Sequence, residues 1–359
     1  MQYLKEKIIY PNFYINLLLS IFLSHVFYKI SYIDRISDEF SLIDQITSRN
    51  VISKDFFVES PLFAIFGVIL RIQNFDVYLL FVYLLSLLFL FFVIVNLNYL
   101  REFSTFFVLS GWLITSSWFM GHVDILSVLL IVLVAKNLEL NSNNYTLFGL
   151  FLILSINHNA IGMICLIIFL ILLENKKRIR LLIFGLPALI IGNSLLSFYL
   201  NIINFSGRGR LRFVFNDNVI RDSINFVGNN TISVFWSGFM GFSVLLLLIS
   251  IINPWESTRK IFISLLVAFF FTSIALDTSR IFSLAVVPII LYTIKVSKEN
   301  EFVENNIKYI YLTAISLLFI IGPYHLYGKL LNKSPHTEIE NFYNFIPRIV
   351  NSIMSGIWS

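Results

Sequence analysis

The sequence is short of charged residues and has a single cysteine. Only 13% of its 359 residues are charged and 57% are hydrophobic, whereas a soluble domain has about 25% charged and about 45–50% apolar residues. This composition excludes an ordinary soluble globular protein. Because Cys165 is alone and lies inside an apolar run, a disulfide framework and a cysteine-based metal site are excluded as well.

Long hydrophilic segments and internal repeats are also missing. No hydrophilic stretch is large enough for a soluble domain, so we expect a single transmembrane domain over residues 1–359. No small-residue cleavage site follows the first apolar segment, which therefore predicts a retained helix and not a signal peptide.

Apolar runs fill most of the chain. Only helices or closed barrels satisfy the backbone in lipid, and runs such as residues 77–95 lack the alternation of barrel strands. The sequence therefore predicts an all-α, polytopic integral membrane protein. Since one crossing takes about 17–25 residues, with shorter helices in places, we expect about eleven transmembrane helices. They are placed at residues 12–32, 77–98, 104–120, 122–138, 146–157, 160–173, 181–203, 231–252, 260–275, 281–295 and 308–326.

The distribution of Lys and Arg predicts how these helices are oriented. Basic short loops, such as residues 176–180, fall on the same side as Lys5 and Lys7. The positive-inside rule assigns that side to the cytoplasm, so we expect an N-terminus inside and a C-terminus outside a bacterial cytoplasmic (inner) membrane. The net charge of +5 fits loops that face anionic lipid, and nucleic acid is not expected as a partner.

The first outer loop, residues 33–76, carries a group of carboxylates. Asp34, Asp38 and Glu39 follow directly on the first apolar span, and the first two share a face if the loop begins as a helix. A carboxylate shielded from water can act as a general base, and a pair of carboxylates can also hold a divalent cation. The spacing leaves both roles open. Residues 61–75 are too short to span and predict an interfacial or re-entrant helix.

Further ionisable residues fall at span ends on the same predicted side. His122 and Asp124 stand at the start of a helix, where an Asp also complements the helix dipole. His158 interrupts two short apolar halves, either bonded to a neighbouring carbonyl or as a functional group. Asp277 and Arg280 predict either a local ion pair or a binding role. If a metal is bound, Asp38, Glu39 and Asp124 are the candidate ligands, and the metal itself stays undetermined.

The outer loop at residues 204–230 is basic, against the orientation rule. Arg208, Arg210 and Arg212 alternate, so they point to one side of an extended segment. Guanidinium groups match phosphate oxygens bidentately, which favours contact with a phosphate leaving group. Contact with lipid headgroups is the alternative. The C-terminal tail, residues 327–359, predicts an interfacial helix that caps the outer face.

Taken together, these motifs resemble the GT-C superfamily of integral-membrane glycosyltransferases. The resemblance lies in carboxylates after the first span, the Gly-His-Val-Asp turn, the break at His158 and the Ser-Arg-Ile-Phe segment that precedes a proline. It implies a hexosyltransferase-type enzyme that transfers a sugar from a polyprenyl-phosphate donor to a glycan or lipid-linked acceptor on the outer face, in cell-surface polysaccharide biosynthesis. The resemblance also implies that Asp34, Asp38 or Glu39 is the catalytic base.

The chain also resembles bacterial O-antigen polymerases, which have a large outer loop with essential arginines. That resemblance implies a repeat-unit polymerase using undecaprenyl-pyrophosphate-linked oligosaccharides. In either case His122, Asp124, His158, Arg208, Arg210, Arg212, Asp277 and Arg280 are the expected substrate-binding residues. A flippase for lipid-linked glycans is a further alternative, although transporters favour repeated halves and polar groups at mid-membrane depth. An O-acyltransferase would use His122 or His158 as its base.

Overall fold

The protein is described here from a computed structural model. The structure describes residues 12–24, 33–48, 60–118, 123–203, 217–275, 278–321, 325–326, 329–330 and 347. Within these ranges the chain is helical apart from turns and one antiparallel pair of two-residue strands, in which His325 pairs with Leu330. The all-α prediction is confirmed for this part of the chain.

The described residues form sixteen α-helices and two short strands. They are α1 Phe13–Phe22, α2 Ile33–Ser48, α3 Leu62–Ile69, α4 Phe75–Asn96, α5 Ser104–Val108, α6 Gly111–Trp118, α7 Asp124–Glu139, α8 Asn144–Leu172, α9 Asn175–Ile202, α10 Asp217–Asn229, α11 Thr231–Phe239, α12 Ser243–Ile252, α13 Trp255–Ser273, α14 Thr278–Ala285, α15 Val287–Lys298 and α16 Glu301–Ile321, with strands β1 His325–Leu326 and β2 Lys329–Leu330. Single 3₁₀ turns join α4 to α5, at Leu97–Phe103, and α11 to α12, at Met240–Phe242.

Several stretches are long and apolar enough to cross a membrane. Among the described residues these are Phe75–Val108, Asn144–Leu172, Asn175–Ile202, Thr231–Ile252 and Arg280–Lys298, which makes five by length and composition. Apolar helices of this kind indicate an integral membrane protein. The sequence predicts about eleven spans, and these five stretches do not confirm that number.

Helix α8 is a hairpin whose tip is His158. Its φ of −158° and ψ of 80° are non-helical. A Cβ on Gly162 would lie 3.6 Å from Leu154 Cγ, although residues eight apart in a straight helix are separated by about 12 Å. Gly185 likewise faces both Phe151 and Leu166. The helix break predicted at residues 157–159 is confirmed, and the two halves run side by side.

A second reversal lies between α4 and α5. Phe13 stacks edge-on against Phe91, with ring centroids 6.3 Å apart. Phe13 belongs to α1, which also contacts the start of α5 because Asn16 Nδ2 donates to Ser104 Oγ at 2.6 Å. Phe91 and Ser104 would lie about 20 Å apart along one straight helix, so the chain turns back between α4 and α5. The turn contains Arg101, whose φ of 52° is in the left-handed region.

The bundle has two polar ends. At the first, which we call the Glu139 end, Lys295 Nζ of α15 and Lys177 Nζ of α9 lie 3.0 and 3.4 Å from Glu139 Oε2. The second is called the Asp124 end, because α7 begins there and runs to Glu139. Since α7 has 16 residues, the two ends are roughly 24 Å apart.

Two segments predicted as loops contain helices. The basic segment, residues 204–230, contains α10 in its second half. The predicted first outer loop contains α2 and α3, of which α3 is the short helix predicted at residues 61–75. Both segments have polar residues at intervals that leave an apolar face, and such a face folds as a helix when a neighbour buries it.

The hairpin packs closely on α9, which gives a testable consequence. A Cβ on Gly192 would lie 2.5 Å from Ser155 Cβ and 3.0 Å from the Leu152 carbonyl oxygen. Gly192→Ala is therefore expected to destabilise the fold by about 1–3 kcal/mol, as overpacking does. Gly149→Ala is the control, because nothing lies within 4 Å of its Cβ position and Ala favours a helix by up to about 1 kcal/mol. Thermal unfolding in detergent measures both, and equal stabilities would contradict the hairpin contact.

Candidate functional site

The candidate site is centred on a buried ion pair at the Asp124 end. Asp124 is 1% exposed, and its two carboxylate oxygens accept from Arg280 Nε at 2.6 Å and Nη2 at 2.8 Å. The sequence predicts Asp277 as the neighbour of Arg280, but the partner in the described structure is 156 residues away along the chain. Asp277 itself lies outside the described residues. The pair joins α7 to α14 and holds both side chains in one geometry.

The tip of the α8 hairpin adjoins this pair. Asn157 Nδ2 donates to the Val123 carbonyl oxygen at 3.0 Å and to Ser127 Oγ at 2.9 Å. Its Oδ1 is buried and has no hydrogen-bond partner among the described residues. His158, next in the chain, is 3% exposed. The tip therefore brings the buried amide of Asn157 to the start of α7, with the buried His158 next to it in the chain.

A polar connection continues from the tip to the surface of α9. Ser155 Oγ donates to the Leu189 carbonyl oxygen at 2.9 Å, and Asn159 Nδ2 donates to Asn193 Oδ1 at 2.7 Å. Asn193 is exposed and follows the apolar run of residues 181–191 in α9, which the run Lys176–Arg180 precedes. Polar groups within membrane spans are costly in lipid and indicate function. The sequence analysis missed Asn159 and Asn193, whose signal is an Asn inside an apolar run.

The helix that carries the predicted base also lies at the Asp124 end. Phe40 of α2 contacts Phe75 at the start of α4, with ring centroids 5.7 Å apart. Leu42 packs with Ala64 and with Ile203, which follows the C-terminus of α9. Because the first turn of α9 contacts Glu139 through Lys177, its C-terminus lies at the opposite, Asp124 end. Residues Asp34, Asp38 and Glu39 all belong to α2. Asp34 and Asp38, four apart in a helix, therefore share a face.

Several predicted site residues lie outside the described residues. They are His122, Asp277, Arg208, Arg210 and Arg212, together with the side chains of residues 33–39. The tail at residues 327–359 is described only at the β2 strand and Pro347. The structure thus pairs Asp124 with Arg280 and places His158 in the hairpin tip that bonds to the start of α7. The backbone of the predicted base lies at the same end.

The contacts of Asp124 do not favour a divalent cation at this carboxylate. Both of its oxygens accept from a guanidinium, whose positive charge opposes a second cation at the same carboxylate. Among the described residues no group of three or more His, Cys, Asp and Glu side chains is placed to hold a metal. Asp38 and Glu39 remain candidate ligands by sequence.

The Glu139 end holds a second group of charges that the sequence analysis used only to predict orientation. Burial by itself would raise the pKa of Glu139, but the hydrogen bonds and charges of Lys295 and Lys177 lower it below its ordinary value. The three side chains tie α7 to α15 and α9.

Acidification should weaken this contact. A carboxylate whose pKa falls on folding stabilises the fold above its unfolded-state pKa, about 4.3 for Glu, and loses that contribution as the pH falls through the folded-state value. We expect the wild-type protein to lose more thermal stability below about pH 4.3 than Glu139→Gln does, by less than about 1 kcal/mol because the pair is partly exposed. Melting curves measured from pH 7 to 3 test this, and parallel losses in both proteins would contradict it.

In comparisons with known proteins, no family model, no curated protein and no solved structure matches the chain.

Proposed function

We propose that this protein is a membrane glycosyltransferase that transfers a sugar from a polyprenyl-phosphate-linked donor to a glycan or lipid-linked acceptor. One observation carries the proposal. The helix bearing Asp34, Asp38 and Glu39 lies at the same end of the bundle as the Asp124–Arg280 pair and the His158 tip. Ionisable groups gathered at one end of a membrane bundle favour a reaction at the membrane surface.

The proposed chemistry needs one base and one anion-stabilising group. A carboxylate of α2 removes the proton of the acceptor hydroxyl. The hydroxyl oxygen forms a bond to the anomeric carbon while the bond from that carbon to the phosphate oxygen breaks. The departing polyprenyl phosphate keeps the electron pair. Its charge is stabilised by Arg208, Arg210 and Arg212, the predicted phosphate-binding residues. The polyprenyl chain stays in the bilayer throughout.

The proposal includes eleven membrane passes and an active site on the outer face of a bacterial inner membrane. Support comes from the two reversals, at the turn Leu97–Phe103 and at His158. Each divides one apolar stretch into two passes. Support for the orientation comes from the Glu139 end, where Lys136, Lys177, Arg180, Lys295 and Lys298 gather, as on a cytoplasmic face.

Complementation of a surface-glycan defect tests the proposal. A strain that lacks one sugar of its surface glycan and is rescued by this chain would support a transferase. The O-antigen polymerase is the second candidate, favoured by the alternating arginines. It predicts that Arg210→Ala, at equal membrane levels, leaves glycans with a single repeat unit. Unchanged glycans whether or not the chain is expressed, in strains with each class of defect, would contradict both.

A further inference from the structure

A cavity of about 750 Å³ opens at the Glu139 end, away from the proposed active site. It is formed where α7, α8 and α15 end, where α16 begins, and beside the turn Leu97–Phe103. No step of the proposed reaction uses it.

One part of the cavity wall is apolar. It is lined by Phe103, Leu138, Phe169, Leu172 and Leu291. Apolar walls beside a bundle that lies in a membrane favour a hydrocarbon chain, since a buried CH₂ contributes about 0.8 kcal/mol.

The remaining wall carries both signs of charge in equal number. Four cationic side chains, Arg101, Lys136, Lys295 and Lys298, face four carboxylates, Glu102, Glu139, Glu299 and Glu304. A cavity selective for a simple anion would have an excess of positive charge. Lys136 lies in the last turn of α7, and Lys295 and Lys298 lie in the last turn of α15. There the lysines offset the negative ends of the helix dipoles. The balance therefore favours a ligand that has both signs itself.

Groups of both signs are accessible at the mouth. Arg101, Glu102, Lys298 and Glu304 are exposed, and Lys298 Nζ donates to the Tyr99 carbonyl oxygen at 2.9 Å, which fixes its position. Cations and carboxylates are therefore both within reach of a ligand head at the mouth.

We propose that this cavity binds an amphiphile with a zwitterionic aminoalkyl-phosphate head, of the phosphatidylethanolamine type. The phosphate contacts Arg101 and Lys298, and the ammonium donates to Glu102 and Glu304. The hydrocarbon chain lies against the apolar wall. The site is independent of the transferase proposal, since it lies at the opposite end of the bundle.

Lipid binding to the purified, delipidated full chain tests this. The probes are phosphatidylethanolamine, the anionic phosphatidylglycerol and soluble O-phosphoethanolamine, followed by native mass spectrometry. Phosphatidylethanolamine is expected to bind about tenfold more tightly than either other probe, because one or two charge-assisted hydrogen bonds separate them.

Variants locate the site on the cavity. Lys298→Gln and Glu304→Gln are each expected to weaken phosphatidylethanolamine binding about tenfold. Glu256→Gln is the matched control, because Glu256 pairs with Lys260 outside the cavity. Equal binding of the two lipids, equally tight binding of the soluble head, or wild-type binding by both cavity variants would overturn the proposal.

Discussion

Removing either partner of the Asp124–Arg280 pair is expected to cost about 3–5 kcal/mol of folding stability, because the remaining charge is left buried without its counterion. Asp124 is 1% exposed and both of its oxygens accept from the guanidinium. Asp124→Asn and Arg280→Gln remove one charge each. Chemical unfolding in detergent measures the loss. Lys260→Gln, which breaks an exposed pair with Glu256, is the control and is expected to change stability little.

The double variant Asp124→Leu with Arg280→Met separates stability from function. Replacing both partners of a buried pair by apolar residues is often neutral for stability, so most of the single-variant loss should be recovered. If the pair also contacts substrate, as the sequence predicts, the folded double variant loses transfer activity. Additive stability losses in the double variant would contradict the pairing.

Loss of the proposed base should give the largest change in rate. Of Asp34→Asn, Asp38→Asn and Glu39→Gln, one variant is expected to lower kcat by about 10²–10⁴-fold, the range for removing a general base. Its pH–rate profile should also lose the acidic limb that the base's protonation produces. The measurement is sugar transfer by purified protein at equal folded concentration.

Asp44→Asn is the matched control for these variants. Asp44 lies on the same helix, is exposed, and is more than one turn beyond Glu39 and nearly three turns beyond Asp34. Its rate is expected to equal that of the wild-type protein. Wild-type rates in all three carboxylate variants would contradict a catalytic role for α2.

The sequence predicted features that depend on local pattern. The hairpin tip follows from three consecutive polar residues, Asn157–Asn159, between two apolar halves, and the structure has a non-helical backbone at His158. Asp124 was predicted at a helix start, and α7 begins at Asp124. Both follow from the rule that polar residues interrupt or begin apolar helices.

Features that depend on the packing of distant segments could not be predicted. Arg280 has an acidic residue three positions earlier, so local spacing favoured Asp277, yet the bond described is to Asp124, 156 residues away. The cavity at the Glu139 end is formed by the ends of separate helices. Lys295 and Lys298 have the same sequence signature whether they mark a cytoplasmic loop or line a cavity.

The most direct test of the central claim is transfer by the purified wild-type protein, reconstituted in bilayers with labelled polyprenyl-phosphate sugars and a surface-glycan acceptor extract. We expect labelled glycan together with release of polyprenyl phosphate, both lost in one of the three α2 carboxylate variants. A folded, reconstituted protein that transfers no sugar from any polyprenyl-phosphate donor would contradict the account.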